Sequence, residues 1–173
     1  KIEIPEIQGK KSSGAQLIVR VYSQKDAITA EKYADIICMD LFDESFINIK
    51  SQLTKPLYAA TPRIMFDLDI DKIKKRIKEI NPAGLFAGNL GISKLNLQIP
   101  IIFDYNLNCF NDLQLKYYNH FGRTIISPEL SSLELENFKN KDFIVFIHGK
   151  IRLMTLVHSL KEGKMKDEKG FNF

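Results

Sequence analysis

The chain has 173 residues, 45% of them hydrophobic and 27% charged, with two cysteines and a formal net charge of +4. That is the balance of an ordinary soluble globular domain able to bury one core. No apolar run approaches the roughly 18 residues of a membrane span, and no stretch has the form of a signal peptide, which excludes an integral membrane role and points to a soluble, cytoplasmic protein without a membrane partner.

The first residue is Lys1 and the last is Phe173, which reads as a piece of a longer protein. Residues 1–14, with the Gly-Lys-Lys-Ser-Ser-Gly run at 9–14, read as a linker or N-terminal extension. From residue 15 onward short apolar runs rich in β-branched residues alternate with polar segments of helical spacing. The runs at 17–22, 35–41, 57–65, 84–88, 99–105, 123–127 and 143–148 give seven candidate strands.

The segments between them open on residues whose side-chain oxygens satisfy the free N–H groups of a first helical turn. Ser23 with Asp26 starts a helix through Tyr33 in which Ala27, Ile28 and Ala30 can face inward. Asp67 or Asp69 starts a helix over 70–80, with Ile70, Ile73, Ile77 and Ile80 on one face. Lys72, Lys74, Lys75, Arg76 and Lys78 fill the other, and Asn81-Pro82 ends it. Asn111 caps 112–121, stopped by Gly122, and Ser131 with Glu134 has the spacing of a capping box.

Runs apolar on both faces are covered on both faces, as parallel strands joined by helical crossovers are. No glycine-rich phosphate loop follows any strand, which disfavours a doubly wound sheet. The expectation is therefore an α/β fold, a partial or incomplete TIM-like (β/α) barrel of about seven parallel strands. It spans 15–160 and is followed by a basic segment at 161–173.

In such a barrel the polar residues at strand ends share one rim. Here these are Arg20, Asp40, Thr61-Pro62-Arg63, Gly88-Asn89, Asp104, Asn106, Asn108, Ser127, Glu129 and His148. Each has a plainer use: Asp104 and Asn106 can organise a turn, Glu129 can favour a helix start, and His120 can be a cation at a helix end. His148, where a buried run meets Gly149, can act as base, acid or donor, or rest as a core histidine. Nothing nearby anchors His158. Cys38 and Cys109 lie in apolar runs without metal-ligand spacing and read as buried thiols. Ser127 lacks a Gly-x-Ser-x-Gly elbow and there is no HExxH zinc motif, which removes the easiest peptidase mechanisms.

Four blocks in order, Gly88-Asn89-Leu90-Gly91, Asp104-Tyr105-Asn106-Leu107-Asn108 with Phe110-Asn111, Ser127-Pro128-Glu129-Leu130-Ser131, and His148-Gly149-Lys150 with Leu153-Met154, resemble those of peptidase family U32. Pro62-Arg63-Ile64 resembles an earlier block, and Asp167-Glu168-Lys169-Gly170-Phe171 a later one. The resemblance implies the C-terminal part of that family's barrel. It implies hydroxylation of tRNA, ribosomal RNA or a quinone ring in some members, collagenase-like proteolysis by name, and in several members an iron–sulfur cluster on four cysteines. Ser159 stands where the family often has a cysteine, so no cluster, and no other cofactor, is expected from this chain. Lys150 replaces the usual arginine and Arg152 the usual proline, which keeps a charge but loses bidentate anion recognition at the first position.

Three functions follow. One is support of tRNA or rRNA base modification, ahead of proteolysis among the enzymatic readings. The rim would hold a nucleotide or small carboxylate, while the basic residues of 72–78 and 150–169 meet phosphates. The second is a collagenase-like peptidase, and the third a degenerate barrel acting as scaffold or partner. On the first, Asp104, Glu129 and His148 are the candidate catalytic residues. Arg63, Asn89, Asn106, Asn108 and Lys150 are the candidate substrate contacts, and no metal ligands are expected.

Overall fold

The computed structural model describes residues 14–152 and 155. Six strands form one sheet: β1 (Ile18–Arg20), β2 (Ile36–Asp40), β3 (Leu57–Ala60), β4 (Gly84–Ala87), β5 (Ile101–Phe103) and β6 (Arg123–Thr124). Every neighbouring pair is parallel and the spatial order is the chain order, with no reversal at which a doubly wound sheet would switch direction. Five helices accompany them: α1 (Gln24–Ala30), α2 (Phe46–Gln52), α3 (Asp67–Ile80), α4 (Asp112–Asn119) and α5 (Ser132–Asn137).

The sheet is curled into a half-barrel. Two contacts make the curvature concrete. Arg123 on β6 bonds Gln16, just before β1, at 2.8 Å, and Arg20 on β1 bonds Asp104, just after β5, at 3.3 Å. In a flat sheet β1 and β6 would stand about 24 Å apart at the usual strand spacing, beyond the reach of two side chains.

Alternation along the strands separates the two larger of three core clusters. Outward-facing Val19, Ile37, Met39, Leu57, Ala59, Leu85, Ala87 and Phe103 pack with Ala27, Phe46, Ile49, Ile73, Ile77 and Ile80 of the helices. Inward-facing Ile36, Cys38, Tyr58, Ala60, Phe86, Ile102 and Ile125 form a separate cluster, joined by Ile18, Tyr105, Ile144 and Phe146. Among the described residues none of α1 to α5 contributes to this inner cluster, as expected inside a barrel wall.

Local chemistry sets the helix starts. The Ser23 side chain accepts from Asp26 N–H, Asn111 from Gln114 N–H, and Ser131 and Glu134 close a reciprocal capping box. Asp69 reaches back to Phe66 N–H at 2.9 Å to open α3, and Asn81, left-handed at φ 43°, closes it. Two expected orientations change. Ile28 is exposed, leaving Ala27 and Ala30 as the buried contacts of α1. Arg76 donates to the carbonyls of Leu41 and Asp43 and pairs with Glu79, so it clamps the loop after β2 instead of standing free on a solvated face. α2 was not among the expected helices; Phe46 and Ile49, one turn apart, bury it.

The seventh expected strand, 143–148, contributes one isolated bridge, Ile144 to Ile125. Ile144 donates to Thr124 and accepts from Ile126, after which the pairing stops. Val145 and Ile147, which alternate with the inner-cluster residues Ile144 and Phe146, are exposed. The crossover from β4 to β5 uses a 3-10 helix, Leu90–Leu95, in place of an α-helix.

Candidate functional site

Because all six strands run the same way, the loops after them open on one rim, and at this end the inner face widens into a cleft of about 380 Å3. Its floor and sides come from Ile18, Phe86, Ile125 and Phe146, its mouth from Arg20, Tyr22, Asp104, Tyr105, His148 and Lys150.

Asp104 is the centre of the charge arrangement. It follows β5, and its side chain is only 3% exposed. One carboxylate oxygen accepts from Arg20 Nη1 at 3.3 Å and lies 3.8 Å from Arg63 Nη2; the other accepts the Tyr105 N–H at 2.8 Å. Two guanidiniums therefore share one carboxylate, and the mouth retains positive charge to which Lys150 adds. Arg63 is held a second time by the face of Tyr105, with its guanidinium carbon 4.7 Å from the ring centroid.

The three candidate asparagines serve the backbone. Asn89 accepts from Gly91 N–H at 2.7 Å and donates to the carbonyl of Arg63 at 3.2 Å, fixing the loop that carries that guanidinium. Asn106 donates to Gly88 O at 2.6 Å, tying the ends of β4 and β5 together, and its Oδ1 is buried without a partner among the described residues. Asn108 is exposed in a left-handed turn at φ 48°.

Glu129 is exposed, its N–H donating to Ser127 Oγ at 3.3 Å, and it is not among the residues lining the cleft. Asp104, Arg63, His148 and Lys150 are thus gathered at the cleft or against the carboxylate in it, whereas Asn89, Asn106, Asn108 and Glu129 stand on the same rim outside it. His120 is the exposed C-cap of α4, and His158 and Ser159 lie outside the described residues. Tyr22, Phe86, Tyr105 and Phe146 were not anticipated. The available signal was parity, since each falls in step with the inward positions of its strand or follows directly on a rim residue.

The cysteines do not fit a cluster. Cys38 lies on the inner face of β2, and Cys109 is buried in a different cluster with Leu115, Ile126 and Phe138. Among the described residues no group of three His, Cys, Asp or Glu side chains could hold a metal ion. Burial pushes the Cys38 thiol up to about 12, with Asp104 and Asp40 acting in the same direction against Arg20, and burial raises Cys109 to about 11. Both are therefore protonated near neutrality and poor nucleophiles. Native protein should leave both thiols unmodified by iodoacetamide at about pH 8, while urea-unfolded protein takes up the reagent at both. Fast native labelling of Cys38 would contradict its placement.

The fold and cleft together define a parallel α/β half-barrel with a cationic, aromatic-lined mouth. Among the described residues no helix is long and apolar enough to cross a membrane. No family model, curated protein or solved structure matches the chain.

Proposed function

We propose that this chain is a U32-type barrel portion that supports base modification of tRNA or rRNA, such as hydroxylation, and that the cleft holds an unpaired base or a small carboxylate. One observation carries the reading: an excess of cations surrounds a concave pocket lined by aromatic rings. Tyr22, Phe86, Tyr105 and Phe146 are among the lining residues, with the Arg20 guanidinium 5.9 Å from the Tyr22 and Phe86 ring centroids, while Arg20 and Lys150 at the mouth, together with Arg63 against Asp104, outnumber that carboxylate. Unpaired bases are recognised by stacking on aromatic and guanidinium planes, and phosphates by Lys and Arg.

Within this reading Asp104 orients the two guanidiniums, and His148 supplies an imidazole at the mouth that can donate or accept a hydrogen bond or a proton. Proteolysis has less to support it. Ser127 Oγ accepts a backbone N–H and lies outside the cleft lining, and the Cys38 thiol is held protonated.

The test is binding of a single-stranded oligoribonucleotide of mixed sequence, followed by fluorescence anisotropy between about 50 and 200 mM salt. Affinity should fall linearly with salt on a double-logarithmic plot. Arg20→Ala and Lys150→Ala should each weaken it about ten-fold and reduce the slope by about one. Absent or salt-independent binding would remove the reading. Mass spectrometry of nucleosides from cells lacking the gene should then show loss of a hydroxylated base.

A further inference from the structure

Tyr105 sits where three parts of the mouth meet. Its backbone N–H is fixed by Asp104. Its ring carries Arg63 at 4.7 Å on one side and meets the Phe146 ring at 5.5 Å. Its hydroxyl accepts the backbone N–H of Arg152 at 3.1 Å.

Among the described residues, the bond from Arg152 N–H to Tyr105 is the one hydrogen bond made by the stretch 146–152. Beyond the Ile144 bridge it belongs to no strand or helix, and residues 147–152 are all exposed. Gly149 turns the chain at φ 139°, and a Cβ there would stand 3.2 Å from Phe146 Cζ. The strap is therefore pinned at Phe146, which also packs in the inner cluster, and at Arg152, and both pins touch Tyr105. Its middle, His148 to Lys150, lines the cleft, as Tyr105 does.

We infer that Tyr105 is a positioning residue that clasps this strap to Arg63, so that closure of the strap and filling of the cleft are one event. A ligand touching both the strap and Tyr105 binds the closed arrangement better than the open one, and must shift the population towards it. The clasp rests on the contacts alone. Its coupling to a ligand rests on the cleft being the binding site proposed above.

Limited trypsin digestion of the full chain tests both parts, because cleavage after Lys150 requires the strap to open locally. Tyr105→Phe keeps the ring and removes the hydroxyl, and should speed that cleavage about five-fold, the effect of one lost hydrogen bond. Tyr105→Leu removes the ring as well. It should open the strap further and weaken oligoribonucleotide binding more than Tyr105→Phe does, because Arg63 loses its platform. The single-stranded oligoribonucleotide should slow cleavage after Lys150 in the unsubstituted protein.

Digestion of Tyr105→Phe at the unsubstituted rate overturns the clasp, and that variant decides the matter even where Tyr105→Leu does not fold. An oligoribonucleotide that binds without slowing cleavage overturns the coupling. One that does not bind removes the RNA reading and the coupling together, while digestion without it still judges the clasp.

Discussion

Asp104→Ala should lower unfolding stability by about 3 kcal/mol at neutral pH, the low end of the range for removing one member of a buried ion pair. The low end applies because Arg20 and Arg63 remain 25% and 16% exposed, so water screens part of the charge left behind. The loss has two sources. Both guanidiniums lose their shared counter-charge at a partly dry mouth, and Tyr105 N–H loses its acceptor. Asp104→Asn, which can still accept that N–H, should cost only about half as much. In the Asp104→Ala background, replacing Arg20 with Ala should cost little further, since the interaction it would remove is already gone. Urea unfolding with linear extrapolation measures all four proteins. Equal stability of Asp104→Ala and the unsubstituted protein would mean that the carboxylate does not join the two arginines.

Gly84→Ala should be nearly as damaging, at about 2 to 3 kcal/mol, through overpacking. A Cβ at Gly84 would lie 2.4 Å from Cε2 and Cζ of Tyr58, its register partner on β3. The ring cannot swing clear at no cost, because Tyr58 is itself buried in the inner cluster. Glycine at this position is therefore a matter of space, not of backbone conformation. The consequence is a coupling of definite sign. Tyr58→Leu alone should destabilise by opening a void, yet Gly84→Ala added to Tyr58→Leu should cost at least about 1 kcal/mol less than it does alone. Strict additivity in urea unfolding would rule out the close approach of the two residues.

Much of the fold was legible because local and non-local signals agreed. The caps at Ser23, Asn111 and Ser131 each mark a helix start, and six apolar runs each contain a strand of the sheet. The seventh run, 143–148, has the composition of a strand, but a ladder needs partners, and only Ile144 finds one. α2 escaped notice because it is only seven residues long, with its buried Phe46 and Ile49 interleaved with Asn48, Lys50 and Ser51. Arg76 misled for a different reason: nothing in sequence marks two carbonyls, of Leu41 and Asp43, as lying within its reach.

At the rim, strand direction alone was enough to gather the polar residues at one end. It could not sort those facing the cleft from those bracing the loops. Asn89 and Asn106 spend their amides on Arg63, Gly91 and Gly88, whereas Arg20 and Asp104, 84 positions apart, meet only because the sheet bends. Curvature of that kind is a sum over many small strand twists, and no single residue announces it.

The consecutive order of the strands also bears on how the chain acquires its shape. Each strand lies beside one synthesised shortly before it, from the 16-residue step between Leu85 and Ile101 to the 26-residue step between Tyr58 and Gly84. No strand must wait for a distant partner, so loop-closure entropy stays small at every stage, and such local topologies fold faster than those that join remote segments. The wall can grow one unit at a time as the polypeptide leaves the ribosome, each new strand using the last as its template.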